Sequence, residues 1–113
     1  MNKKMVAVLG FGKTGQAMLE FLLARDPRVS LVLYNDGEIT DNVRQEHFQR
    51  LGVRFLSGAG QFAELASCRM AIMSPGFDGK HHRFEHLRQG GVEVISGLDL
   101  DTVLLEVGGA AND

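Results

Sequence analysis

The sequence contains a single cysteine, two prolines and no tryptophan among its 113 residues. One cysteine, Cys68, excludes an internal disulfide and cannot by itself form a metal site. We therefore expect Cys68 to be a small buried apolar residue. No apolar run approaches the roughly 20 residues that a helix needs to cross a bilayer, so we expect no membrane insertion.

The chain also has little excess of charge of either sign. The formal net charge is −2 at pH 7, which argues against nucleic acid or an anionic membrane as the main partner. Only about five apolar residues follow the basic start Met1–Lys4, fewer than the roughly 7–15 of a secretory signal, so we expect a cytoplasmic protein. The length fits one domain, and 44% hydrophobic residues suffice for a core.

Short apolar runs alternate with amphipathic segments along the chain. Strands are predicted at Met5–Leu9, Val29–Tyr34, Val53–Leu56, Met70–Met73 and Val92–Ile95. Helices are predicted at Thr14–Ala24, from Thr40 or Asp41 to Leu51, at Gln61–Ala66, at about His82–Gln89 and at Asp99–Val107. This alternation predicts an α/β, Rossmann-like fold, with a five-stranded, mostly parallel sheet covered by helices on both faces.

Helical spacing also predicts which side chains of the first two helices face the core. The predicted inward residues are Ala17, Met18, Phe21 and Leu22 in the first helix, and Val43, His47, Phe48 and Leu51 in the second.

The turn after the first strand contains glycines at positions 10, 12 and 15, the pattern G-x-G-x-x-G between a strand and a helix. Gly10 permits the tight turn, Gly12 lets a ligand approach the backbone, and Gly15 lets helix and strand pack closely. The N–H groups at the helix start then favour an anion such as phosphate. Lys13 and Thr14 add a cation and a hydroxyl, both suited to phosphate.

The same residues resemble the end of an ATP-binding P-loop, but the spacing excludes one. The P-loop pattern needs a glycine at the position of Ala7, and residues 7–9 are required by the strand. We therefore expect no ATP site in this chain.

Two further loops follow predicted strands and meet the glycine turn at the carboxyl edge of the sheet. Asp36 lies about 20 residues after Gly15, where dinucleotide-binding folds have the acid that holds a ribose hydroxyl. Asn35 can act as donor or acceptor there, and turn chemistry alone also explains Asn35-Asp36-Gly37. Ser74-Pro75-Gly76 ends the fourth strand, and an NAD site does not require it.

Other polar residues carry little functional signal. Residues 80–83 and His86 form a basic, histidine-rich helix start, interpreted as a solvated helix face. Two histidines alone make a weak metal site, and no nucleophile arrangement is visible, so neither catalytic nor metal-binding residues are predicted.

Together the three loops resemble the N-terminal domain of the Mur ligases, most closely the ligases that add D-glutamate during peptidoglycan synthesis. The residues that carry the resemblance are Val8–Gly15, Leu33–Asp36, Met73–Phe77 and Gly91–Leu100. The likeness extends over residues 4–106, and Ser-Pro-Gly is its most specific part. It implies that this domain binds the UDP-muramoyl end of the substrate.

By position, the resemblance also implies roles for individual residues. Contacts with the diphosphate are implied for Gly12, Lys13, Thr14 and Gly15, contacts with the uridine for Asn35 and Asp36, and the uracil side for Ser74, Pro75 and Gly76, with Gly58 nearby. Two residues depart from the family pattern. Gly37 stands where family members often have an arginine that stacks on uridine, and Asn35 replaces a common aspartate.

The resemblance further implies domains that the 113 residues do not contain. In the family, a second domain binds ATP and Mg²⁺, and a third binds the amino acid that is coupled through an acyl phosphate. We expect residues 1–107 to be the substrate-binding domain, residues 108–113 to be a tail, and the chain alone to catalyse nothing. An NAD(H)-binding regulatory module is the alternative supported by the glycine turn and Asp36. A scaffold that has lost its ligand is a third possibility.

Overall fold

The computed structural model describes residues 5–74 and 83–96 of the chain. The strands are β1 (Met5–Leu9), β2 (Ser30–Asn35), β3 (Arg54–Ser57), β4 (Cys68–Met73) and β5 (Glu93–Ser96). The helices are α1 (Lys13–Arg25), α2 (Asn42–Arg50), a 3-10 helix (Ala59–Ser67) and α3 (Arg83–Gln89). The helix predicted at Asp99–Val107 and the tail at 108–113 lie outside the described residues.

The strands form one sheet in the order β3-β2-β1-β4-β5, and all four pairings are parallel. The predicted α/β, Rossmann-like fold is therefore confirmed, with a sheet that is parallel throughout. From β1 the chain first winds outward to β2 and β3, and then returns to place β4 on the other side of β1. The carboxyl ends of β1 and β4 thus flank a topological switch point, where ligands of such sheets bind.

Both faces of the sheet are covered, and the alternation along β1 shows how. Val6 and Val8 pack in one core cluster with residues of α1 and α2, whereas Ala7 and Leu9 pack in the other with residues of the 3-10 helix and α3. All four are fully buried, as expected for a central parallel strand with helices on both sides. Cys68 is buried in the second cluster, as predicted.

The predicted inward face of α1 is only half right. Met18 and Leu22 are buried, together with Leu19, but Ala17 is exposed and Phe21 is 36% exposed. The helix is therefore rotated about its axis relative to the prediction. Gly15 explains this rotation, because its close approach to Gly10 turns the Gly15 side of the helix toward the sheet. The residues three, four and seven positions after Gly15 then face the core.

For α2, the prediction of four inward residues is wrong except for Phe48. Val43 is 79% exposed and Leu51 is 52% exposed, and His47 is exposed as well. Phe48 sets the rotation of the helix, because its fully buried ring packs in the core cluster that contains residues of α1. Arg44, one turn earlier, therefore faces α1 and contacts Gln16 and Glu20, and the residues just before Arg44 and Phe48 point outward. Asp41 caps the helix by accepting the N–H of Arg44, as one of the two predicted caps.

No helix within residues 5–74 or 83–96 is both long enough and apolar enough to cross a membrane.

Candidate functional site

Backbone hydrogen bonds join the loops at the carboxyl edge of the sheet. The N–H of Gly10 donates to the carbonyl of Tyr34 at 2.7 Å, and the N–H of Ser74 donates to the carbonyl of Leu9 at 3.0 Å. These hydrogen bonds link the residue after β1 to β2, and the residue after β4 to β1. The turn after β1, the end of β2 and Ser74 after β4 therefore meet at the switch point, as the strand order requires.

The glycine turn depends on backbone conformations and distances that only glycine allows. Gly10 has φ +103°, a region that side chains disfavour. A Cβ on Gly15 would lie 1.9 Å from the carbonyl oxygen of Gly10, so any side chain there collides with backbone. At Gly12 a Cβ meets no atom of the described structure within 4 Å. The turn is thus closed toward the sheet and open on the side of Gly12.

Helix α1 begins at this open side without a capping side chain. Gly12 is the N-cap residue, and no side-chain hydrogen bond caps the helix. The N–H groups of the first turn have no acceptor within the helix, and the helix dipole makes this end partly positive. Lys13 and Thr14 are exposed at the first two helical positions, and the first turn contains no acidic residue. The arrangement suits a phosphate or diphosphate.

Phe11, inside the glycine motif, anchors the turn to the core cluster on the α1 and α2 face of the sheet. Its ring packs edge-on against Phe55 at 5.1 Å and against Phe48 at 6.1 Å between ring centroids. Phe11 is absent from the predicted site residues, although an aromatic residue between two glycines is a visible signal in the sequence. The contacts fix the turn without closing the open side at Gly12.

Asn35, at the end of β2, holds three segments of the site together. Its Oδ1 accepts the N–H of Phe11 at 3.1 Å, and its Nδ2 donates to the carbonyl of Gly37 at 2.9 Å. Its backbone carbonyl accepts the N–H of Gly58 at 3.1 Å. Gly58 itself has φ +84° and begins the 3-10 helix, so it too requires glycine. In this structure the side chain of Asn35 has a positioning role.

Ser74 is buried beside the glycine turn. Its hydroxyl donates to the carbonyl of Leu9 at 2.5 Å, and its Oγ lies 3.9 Å from the position that a Cβ on Gly15 would occupy. The structure therefore brings the serine of Ser-Pro-Gly into the same site as the glycine turn. Pro75 and Gly76 lie outside the described residues.

Asp36 forms an ion pair that the sequence did not predict. The guanidinium of Arg83, from the first residue of α3, donates to Oδ1 at 2.8 Å and to Oδ2 at 2.9 Å. The hydroxyl of Tyr34 lies 3.0 Å from Oδ1 and 3.0 Å from the carbonyl of Gly58, and it donates to either. We call this group of Tyr34, Asp36, Phe62 and Arg83 the acid–arginine corner.

Aromatic rings support the arginine of this corner. The guanidinium carbon of Arg83 lies 4.5 Å from the ring centroid of Phe62, which in turn packs edge-on against Tyr34 at 5.2 Å. The Arg83 side chain is only 20% exposed, so its interpretation as part of a solvated helix face is wrong. His86, on the same helix, is exposed as expected. Sequence separation hid the pair, since Asp36 and Arg83 are 47 positions apart in the chain.

The hydroxyl of Tyr34 stays a donor over a wide pH range. Burial raises the pKa of the Tyr34 phenol above its ordinary value, and the hydrogen bond and negative charge of Asp36 raise it further, whereas Arg83 lowers it. The phenol therefore remains protonated and donates a hydrogen bond to either Asp36 or the Gly58 carbonyl.

Within residues 5–74 and 83–96, no cluster of three or more metal-ligating side chains is present.

Comparison with known proteins agrees with this architecture. The chain matches the family described as Mur ligase MurD-like, N-terminal domain, over residues 4–96. It is 28% identical over 100 residues to the UDP-N-acetylmuramoylalanine--D-glutamate ligase of Trichlorobacter lovleyi, and the match covers 88% of this chain and 22% of that ligase. The chain thus spans less than a quarter of the length of this curated relative. The resemblance seen in the sequence is confirmed: the chain belongs to the MurD-like N-terminal domain family of the Mur ligases.

Proposed function

We propose that this chain binds UDP-N-acetylmuramoyl-L-alanine as the N-terminal domain of a cytoplasmic ligase that adds D-glutamate during peptidoglycan synthesis. Family membership and the name of the D-glutamate ligase relative support this proposal. Binding of ATP, Mg²⁺ and D-glutamate then belongs to further domains of the whole enzyme. This domain supplies the grip on the nucleotide end of the substrate and performs no chemical step by itself.

One observation carries the proposal, namely the uncapped start of α1 with open space at Gly12. The helix start lies directly after β1, beside the switch point where Ser74 joins the end of β4 to Leu9. A diphosphate placed there accepts hydrogen bonds from the backbone N–H groups of Lys13 to Gly15 and meets the ammonium of Lys13 and the hydroxyl of Thr14. A substrate with a diphosphate at its centre matches this set of donors.

The uridine end is assigned to the neighbouring loops, at Asn35, Asp36, Gly58 and Ser74 to Gly76. Asn35 and Ser74 support this assignment because their side chains hold the backbone of those loops in place. Gly58 shapes the end of β3, because its N–H donates to the Asn35 carbonyl and its own carbonyl accepts the N–H of Gln61 and lies 3.0 Å from the Tyr34 hydroxyl. These groups then shape the space in which the uridine is recognised.

The arrangement of β1 supports the exclusion of ATP from this chain. Ala7 occupies the place of the first P-loop glycine, and it is fully buried in β1, in register with Val32 and Ala71 on either side. No phosphate-enclosing loop can begin inside a central strand. The Gly12-Lys13-Thr14 segment therefore serves the substrate diphosphate.

Isothermal titration calorimetry tests the proposal on the 113-residue chain. Three ligands are titrated separately: UDP-N-acetylmuramoyl-L-alanine, UDP and NADH. We expect the muramoyl substrate and UDP to bind and NADH to bind at least about tenfold more weakly, because Arg83 already holds Asp36. A Gly60→Asp variant is the control, and Gly12→Asp places a carboxylate at the helix start.

Gly12→Asp should abolish binding of both UDP ligands, because the new carboxylate caps the first turn and repels the diphosphate. Gly60 is equally open, with nothing within 4 Å of a Cβ, so its variant controls for added charge. Binding of NADH without either UDP ligand would refute the proposal in favour of the dinucleotide alternative. Failure of all three ligands to bind would refute it in favour of a scaffold without a ligand.

A further inference from the structure

The carboxylate of Asp36 occupies the place where a dinucleotide-binding fold presents an acid to a ribose hydroxyl. We propose that Arg83 is a specificity-determining positioning residue, which holds this carboxylate and so prevents it from binding a ligand ribose. The site then disfavours nucleotides whose recognition depends on a ribose 2′-hydroxyl bound to the acid. The inference rests on the proposed function, because it concerns ligand selection at the same site.

The first argument is the number of hydrogen bonds that Asp36 already accepts. Arg83 binds both carboxylate oxygens, one at 2.8 Å and the other at 2.9 Å, in the forked geometry that a guanidinium fits best. The Tyr34 hydroxyl lies 3.0 Å from the same Oδ1. A carboxylate has about four lone-pair positions, so three neighbouring donors leave it little capacity for a diol.

The second argument is that the arginine is held independently of Asp36. The guanidinium carbon of Arg83 lies over the ring of Phe62 and 5.3 Å from the ring centroid of Phe84. The Arg83 side chain is 20% exposed, whereas the Asp36 side chain is 47% exposed. Phe62 and Phe84 also pack edge-on against each other at 5.6 Å. Most surface ion pairs are mobile and weak, whereas a forked pair on an aromatic platform is preorganised.

The consequence for a ligand follows from competition for the carboxylate. A ribose hydroxyl can bind Asp36 in the usual dinucleotide manner only if it displaces a charged donor, and a hydroxyl forms the weaker bond. The glycine motif Gly10–Gly15 followed by an acid predicts NAD binding from the sequence. Arg83 leaves the glycine turn intact but holds the acid, so one of the two features of an NAD site is missing. At the uridine end Asp36 is then present as part of an ion pair with Arg83, and hydrogen bonding to the ribose hydroxyls is left to other groups, such as Asn35.

The test isolates the 2′-hydroxyl by comparing UDP with 2′-deoxy-UDP, since UDP is the nucleotide that the proposed function expects to bind. Affinities of both nucleotides are measured for the unaltered chain, for Arg83→Gln and for Arg83→Gln combined with Asp36→Asn. We expect the unaltered chain to bind the two nucleotides equally within about twofold, and Arg83→Gln to prefer UDP by about tenfold, the value of one charge-assisted hydrogen bond. The double variant should lose this preference, because the change of Asp36 to an amide removes the carboxylate.

Arg88→Gln is the matched control, since Arg88 lies on the same helix and its side chain, among the described residues, makes an exposed 3.5 Å contact with Glu85. It should leave the ratio of affinities unchanged. Arg83→Lys keeps the charge without the fork, so it should give an intermediate preference, and it replaces Arg83→Gln if circular dichroism shows that the latter does not fold. A purely structural role of Arg83 would weaken both nucleotides alike and leave their ratio at about one.

An unchanged ratio in folded Arg83→Gln overturns the proposal, and so does a preference that persists in the double variant. Absence of binding of both nucleotides to Arg83→Gln overturns it as well. The proposed function fails separately, when the unaltered chain does not bind UDP-N-acetylmuramoyl-L-alanine. The two failures are distinguishable, because one concerns the variant's preference for a hydroxyl and the other the unaltered chain's affinity for the muramoyl substrate.

Discussion

The glycine turn and the acid–arginine corner lie at the same edge of the sheet but are built in different ways. The turn is made of backbone, with a positive φ at Gly10 and no room for a Cβ at Gly15. The corner is made of side chains from three segments, namely Tyr34 and Asp36 near β2, Phe62 in the 3-10 helix and Arg83 in α3. The turn therefore offers a fixed set of backbone N–H donors, whereas the corner contains an ion pair whose two charges neutralise each other.

This difference separates what each region can recognise. The turn attracts an anion of any identity, because helix dipoles and backbone N–H groups carry little information about the rest of a ligand. Under the inference drawn for Arg83, the corner selects which neutral part of a ligand fits beside that anion. Substitutions in the two regions should accordingly separate affinity and stability from selectivity.

Gly15→Ala should cause the largest loss of stability. The new Cβ would lie 1.9 Å from the backbone oxygen of Gly10, and neither α1 nor the turn can yield without moving β1. Alanine gains about 1 kcal/mol in helix propensity, but overlap with backbone costs about 3 kcal/mol or more, so destabilisation prevails. Urea denaturation followed by circular dichroism measures the change in the free energy of unfolding.

Gly60→Ala serves as the control for Gly15→Ala, because a Cβ at Gly60 meets nothing within 4 Å. It should change the free energy of unfolding by less than about 1 kcal/mol. Equal stability of Gly15→Ala and the unaltered chain would contradict the close packing of the turn.

The same contrast explains how much the sequence predicted. The five strands, their parallel pairing and the glycine turn depend on local signals, such as β-branched apolar runs and glycine at fixed spacing. The rotation of α1 was missed, because the contact of Gly15 with Gly10 outweighs the apolar pattern that includes Phe21. Likewise, the apolar spacing of Val43 and Leu51 predicted burial, but α2 buries Phe48 and turns Arg44 toward α1, so Val43 and Leu51 face outward.

The acid–arginine corner illustrates the limit for side-chain sites. Asp36 was predicted from its distance to the glycine turn, and its place at the end of β2 agrees with that prediction. Its partner Arg83 stood in a basic segment with no pattern of its own, and only the return of α3 along the sheet brings the two together. Ligand contacts of the candidate residues stay predictions, to be tested by titration.

Tyr34→Phe tests the acid–arginine corner. We expect the substitution to lower the free energy of unfolding by about 1–2 kcal/mol at neutral pH, because a hydrogen bond is lost and its acceptor is left unsatisfied. The pKa of Tyr34 is raised in the folded chain, so the folded state keeps the phenolic proton longer than the unfolded state. The stabilisation is therefore complete below the unfolded-state pKa of about 10 and is lost as pH rises through the folded-state pKa. Urea denaturation of both proteins across this range measures the narrowing difference.

The sequence makes this measurement unusually direct, because Tyr34 is the one tyrosine and tryptophan is lacking. Tyrosinate absorbance of the folded chain should rise at a higher pH than that of the chain in urea. Coincident titration curves, or a stability difference that grows with alkaline pH, would contradict the proposed environment of the phenol.

Ser74→Ala should cost about 1 kcal/mol, less than the change at Gly15, because the Leu9 carbonyl keeps the N–H of Ser74 as a donor. Removal of the hydroxyl leaves no polar group unsatisfied at Leu9, and alanine fits the same space. Ser67→Ala is the control: its hydroxyl bonds the Glu64 carbonyl at an exposed position and should contribute less. Chemical denaturation of both variants decides whether burial at the switch point makes the Ser74 bond the stronger one.

Gly12→Ser should change stability least and ligand binding most. Serine is a better N-cap than glycine by a few tenths of a kcal/mol, and a Cβ at Gly12 meets nothing within 4 Å, so the folded chain should become slightly more stable. The new hydroxyl accepts an N–H of the first turn and occupies the open side, so affinity for UDP should fall about tenfold or more. Gly60→Ser, outside the turn, should leave affinity unchanged. A gain in stability with undiminished UDP affinity would place the diphosphate elsewhere, and a loss of both would mean that Gly12, like Gly15, is closed by contacts with the rest of the chain.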